Sequence, residues 1–142
     1  MDIKIIVALI GLLSVLASAL VQYYLGRQAE IRKKLIEIRA QAYLDLLNSV
    51  SEIANSSKRS ATNHQEHIKS LTQAKTRAVL VGSDEVVTAI EDFWNKYDSL
   101  TTNESLTAFT LIVLAMRKDL SGTNTISESS LNSALFGGKG NR

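Results

Sequence analysis

Apolar positions along the chain follow two different rules. From Ile5 to Gly26 there is no charged side chain in 22 consecutive residues, a run built of Ile, Leu, Val and Ala with Tyr23 and Tyr24 at its far end. As a helix rising about 1.5 Å per residue this run is about 33 Å long, close to the ~30 Å hydrocarbon core of a bilayer. Beyond it the spacing changes. Ile31, Leu35, Ile38, Ala42, Leu46, Val50 and Ile53 step by threes and fours, which predicts one buried face of a helix. Ile36, Tyr43, Leu47 and Ala54 widen that face beyond a two-stranded coiled-coil seam. No Pro or Gly lies between Arg27 and Ser57, so the apolar run is expected to continue into the first polar-faced helix with Gly26 as the only soft point.

Stop and start signals then punctuate the chain. Residues 55–63 are rich in Ser, Asn and charge and read as a loop. Asn63 and Glu66 suggest a capping box for a second helix carrying Ile68, Leu71, Ala74, Ala78 and Val81. Gly82 reads as its stop and Ser83 as the next N-cap, with Asp84 and Glu85 in a first turn where negative charge suits the helix dipole. Val86, Ile90, Phe93, Trp94 and Tyr97 make the bulkiest apolar face of the chain. Thr101 and Glu104 suggest a further capping box, and Gly122 a stop. The expected organisation is an extracytoplasmic stub (1–4), a transmembrane helix (5–26) and a helical bundle (27–121, helices about 28–57, 64–81, 84–99 and 104–121). A linker with a short helix (122–136) and a disordered glycine-rich tail (137–142) complete it. The fold class predicted is all-α: an N-terminal transmembrane helix continuing into an antiparallel three- to four-helix bundle. The membrane-proximal part of the first long helix either stands clear as a stalk or pairs with another copy.

Charge orients this arrangement. Arg27, Arg32, Lys33, Lys34 and Arg39 follow the apolar run, whereas only Lys4 and the amino terminus precede it. The excess of basic residues predicts a cytoplasmic carboxyl side in a bacterial inner membrane, with these five residues placed to meet anionic headgroups. A secretory signal fits part of the same run, because Ala17-Ser18-Ala19 matches a small-x-small cleavage pattern. Against cleavage, the charge-free run continues through Tyr23 and Tyr24, and the basic cluster opposes export. Gly11, Ser14, Ser18 and Gln22 share one side of the run with Ala8, a face on which two spans could associate.

Composition excludes more than it assigns. Cys is 0, which removes disulfides and thiolate chemistry; Pro is 0, which leaves long helices uninterrupted. A formal net charge of +2 offers no nucleic-acid-scale basic excess. His64 and His67 stand three apart without a second ligand cluster, and no nucleophile elbow or phosphate-cradling glycine loop occurs. No enzyme, metal or cofactor is therefore expected. Between Asp84 and Glu104 six acids stand against Lys96, interleaved with aromatic residues. Glu91, Trp94 and Asp98 are the residues expected to meet a protein partner there.

The segments Arg39-Ala40-Gln41-Ala42-Tyr43-Leu44-Asp45-Leu46-Leu47 and Ala115-Met116-Arg117-Lys118-Asp119-Leu120-Ser121-Gly122 resemble those of small bacterial single-span proteins with a basic juxtamembrane helix and a helical domain. The resemblance implies the same order of parts and brings no activity with it. The function expected is a membrane-anchored, non-enzymatic interaction module at the cytoplasmic face, an adaptor or small effector, with lipid, an unidentified protein and another copy as partners. The alternatives are an exported or envelope-spanning helical protein, and an oligomerising effector that perturbs the bilayer.

Overall fold

The structure, a computed structural model, describes residues 2–56 and 64–137. These are all-helical: α1 (Ile3–Ser56), α2 (His64–Val81), α3 (Asp84–Lys96), α4 (Asn103–Ser121) and α5 (Glu128–Phe136), with no strand among the described residues. The chain divides into two units, residues 1–37 and 38–142. The Asn63 cap and the tail beyond Gly137 lie outside the described residues; Asn55 and Ser56, expected in a loop, are still helical.

The first unit holds only the N-terminal stretch of α1, and its apolar side chains have no cover. Leu9, Leu13, Leu20 and Leu25 are each more than half exposed. The helix is long and apolar enough to cross a membrane, and none of its most apolar stretch is buried. Ile31, Leu35 and Ile38, expected on a buried face, are exposed instead. Their phase matches that of Ala42 and Leu46, but burial along α1 begins only at Arg39.

The second unit has one core, built from Tyr43 and Leu46 of α1, Ala74 and Ala78 of α2, Val86, Ile90 and Phe93 of α3, and Phe109, Ile112 and Met116 of α4. The spacing of these positions within each helix is the one expected for a single buried face. Aromatic rings link three helices: Phe93 meets Phe109 edge-on at 5.9 Å, and Phe109 meets Phe136 of α5 at 6.3 Å. Asn132 adds a hydrogen bond from Nδ2 to Thr107 Oγ1 at 3.3 Å.

Helix ends depart from expectation in informative ways. The box that opens α4 is Thr102 with Ser105, one residue later than expected: each side chain accepts from the other's backbone N–H, at 3.1 Å in both directions. Ser83 sits at the N-cap of α3 without a side-chain bond to the helix. α3 stops at Lys96, because Tyr97 adopts an extended conformation (φ −132°, ψ 128°) that lays its ring against Phe93. Gly122 ends α4 with φ 72°, a left-handed cap that a β-carbon would strain. Gly82 serves differently: a β-carbon there would lie 2.6 Å from the Ala78 carbonyl oxygen and 3.1 Å from the Tyr43 hydroxyl, so glycine permits the close approach of the α2–α3 turn to α1.

Candidate functional site

The most tightly organised polar group lies where α1, the α2–α3 turn and the last turn of α4 meet. Arg39 and Tyr43, one helical turn apart on α1, both reach Asp119. Arg39 donates from Nη1 to Asp119 Oδ1 at 2.9 Å and from Nε to the Val81 carbonyl at 2.7 Å. Tyr43 donates its hydroxyl proton to Asp119 Oδ2 at 2.5 Å. The guanidinium thus satisfies a carbonyl at the end of α2 that has no partner further along its own helix. It also neutralises an acid in the last turn of α4, where the helix dipole disfavours negative charge. Asp119 is half-buried as a residue, but only 7% of its side chain is exposed. Among the described residues no buried side-chain polar atom lacks a partner.

Tyr43 is held well above the ordinary tyrosine range. Burial is the largest cause, followed by the hydrogen bond to Asp119 and the charge of that carboxylate; the Ser83 N–H and Arg39 act in the opposite sense. A phenol held neutral in the fold and titrating normally when unfolded contributes stability that is complete below about pH 10 and declines as pH rises past it. Tyr43→Phe should therefore flatten the alkaline loss of stability seen in urea titrations at stepped pH. An unchanged alkaline slope would contradict the assignment. The network's hydrogen bonds join three helices, so its chemistry is that of a fastener.

Arg39, grouped by charge with the membrane-facing residues, is therefore committed to the fold and half-buried. Arg27, Arg32, Lys33 and Lys34 are exposed, with Lys34 3.6 Å from Glu30 in a solvent-facing pair. Gly11, Ser14, Ser18 and Gln22 are exposed on α1, where Ser14 Oγ donates to the carbonyl of Ile10 at 2.8 Å. His64 is exposed, whereas His67 lies 3.7 Å from Glu52 of α1. No group of three His, Cys, Asp or Glu residues that could hold a metal occurs among the described residues.

The acidic, aromatic stretch presents two separate surfaces. Trp94 is half-buried, edge-on to Phe93 at 4.8 Å and covered by the Lys75 ammonium at 5.1 Å. Trp94 and Asp98 line a cavity of about 240 Å³ with Val50, Leu71 and Leu100; Glu91 is exposed and does not line it. Around the helix from these, Asp84, Glu85, Asp92 and Lys96 of α3 and Glu104 of α4 line a groove of about 820 Å³ together with Ala89, Phe93, Ala108 and Leu111. Sequence reasoning noted the acids but not this groove. The fourfold step from Asp84 through Thr88 to Asp92 was its only signal, and nothing in α3 alone says on which side α4 packs.

No family model, no curated protein and no solved structure matches the chain.

Proposed function

We propose that the protein is a membrane-anchored, non-enzymatic interaction module that holds its helical second unit at the cytoplasmic face of a bacterial membrane. The observation that carries this reading is the charge-free run from Ile5 to Gly26, whose side chains are all exposed and which Arg27 follows at once. A water-soluble domain does not expose so long a continuous apolar surface, whereas a bilayer covers it. The four exposed basic residues favour retention of the adjoining unit on the cytoplasmic side and attract anionic headgroups at about 1 kcal/mol each near the surface. Around the fastened core of the second unit, the exposed acidic surfaces supply the means of binding a partner.

The test is topology. Alkaline phosphatase and a fluorescent protein, fused in turn to the C-terminus, should give fluorescence without phosphatase activity, and the mass of the purified chain should retain residues 1–19. Phosphatase activity would overturn the orientation. A chain beginning after Ala19 would favour the second reading, an exported helical protein, for which Ala17-Ser18-Ala19 speaks. A third reading, an effector whose associated spans perturb the bilayer through Gly11, Ser14, Ser18 and Gln22, requires that overexpression collapse the membrane potential.

A further inference from the structure

We infer that the groove between α3 and α4 is the seat of the protein partner, and that it takes a cationic amphipathic helix. This rests on the interaction-module reading and names its partner's chemistry. The residues that compose the groove ask for both halves of such a ligand. Its floor is apolar, with small Ala89 and Ala108 allowing a backbone to come close and Leu111, 44% exposed, standing ready to be covered. Its rim is acidic on both sides: Asp84 and Asp92 on α3 and Glu104 on α4 are exposed and have no ion-pair partner among the described residues.

Glu85 differs, since Lys118 holds it at 2.7 Å. The unneutralised carboxylates therefore border the apolar floor. A ligand that covers Leu111 while placing lysines or arginines on both sides of its apolar ridge satisfies floor and rim together. The length also fits: α3 has 13 residues, about 20 Å, or between three and four turns of a docked helix. Anionic headgroups are excluded as occupants by the same carboxylates that attract a cationic helix. Glu91, Trp94 and Asp98 lie outside the groove and are not part of this site.

The full chain, held in nanodiscs of zwitterionic lipid so that the bilayer does not compete, is titrated into a labelled synthetic helix of about four turns with a leucine ridge between two rows of lysine. Fluorescence anisotropy should show binding of this probe and none of its counterpart with glutamate in place of lysine. Asp92→Asn with Glu104→Gln should weaken binding at least ~10-fold, whereas Glu91→Gln with Asp98→Asn, the same loss of charge outside the groove, should change it less than ~2-fold. Equal weakening by the two pairs, or no binding by the unaltered chain at low salt, would overturn the proposal. So would sedimentation in detergent showing that the unaltered chain is an oligomer which the Asp92→Asn/Glu104→Gln pair dissociates, because the groove would then belong to a second copy. Binding in nanodiscs does not depend on orientation in the cell, so failure here and failure of the topology test are read separately.

Discussion

Arg39→Ala is expected to remove about 3–5 kcal/mol from the stability of the helical unit, followed as urea-induced change in the fluorescence of Trp94, the single tryptophan. The size follows from what remains behind. Without the guanidinium, Asp119 keeps only the Tyr43 hydroxyl as a partner, with 7% of its side chain exposed. An uncompensated buried carboxylate is among the costliest single defects a fold can carry. The Val81 carbonyl loses its donor in the same step.

Asp119→Ala should cost less, about 1.5–3 kcal/mol, the range for hydrogen bonds to charged groups. In that variant Arg39, 25% exposed, can still reach water and the Val81 carbonyl. Arg39→Lys should recover only part of the loss, because one ammonium cannot reproduce the two directed contacts of the guanidinium. The double variant Arg39→Met/Asp119→Leu should be more stable than Arg39→Ala, since it leaves no charge unpaired. Lys118→Ala is the internal control: its pair with Glu85 is at least half exposed on both sides, and its removal should change stability by no more than ~1 kcal/mol. If Arg39→Ala resembled Lys118→Ala, the network would be ornamental.

The second large effect concerns orientation. Replacing Arg27, Arg32, Lys33 and Lys34 by Gln, together with Asp2→Arg, moves the excess of basic residues to the other end of the apolar run. Orientation follows Lys and Arg near the span ends rather than net charge. On the anchored reading proposed above, most molecules should therefore invert, exchanging fluorescence for phosphatase activity in the two fusions. Arg39 remains basic in this variant, but it belongs to the folded unit and lies about 20 Å along the helix from Gly26. Arg32→Gln alone should leave the orientation as it is. Retention of fluorescence by the multiple variant would show that something other than basic residues sets the topology.

The helical class was legible because the evidence for it is local. Gly122 adopts the left-handed cap its position suggested, and Val86, Ile90 and Phe93 are buried as their spacing required. The cap of α4 was displaced by one residue, since Thr101 and Thr102 offer the same hydroxyl and only the packed backbone chooses between them. The fastening network was not legible as a network, because Arg39 and Asp119 are 80 residues apart. Its two halves did leave traces: a cation on the phase of Ala42 and Tyr43, and an acid in a last helical turn. Counting Arg39 as part of a basic run discarded that phase. The groove between α3 and α4 was missed for a related reason, since Asp92 and Glu104 line one groove only once the two helices have packed.

The 80-residue separation of Arg39 and Asp119 also sets an order of events. At about 5–20 residues per second the ribosome makes Asp119 about 4–16 s after Arg39. Phe109, Ile112 and Met116, which share the finished core with Leu46, arrive in the same late interval. On the proposed anchored reading, the apolar run has by then left the ribosome and entered the bilayer, while Tyr43 and Leu46 still lack the α4 part of their core. On that reading the nascent helix is tethered at a surface until α4 is made, and the two-dimensional spacing of newly made chains governs whether the open side of its core takes its own α4 or a neighbour's.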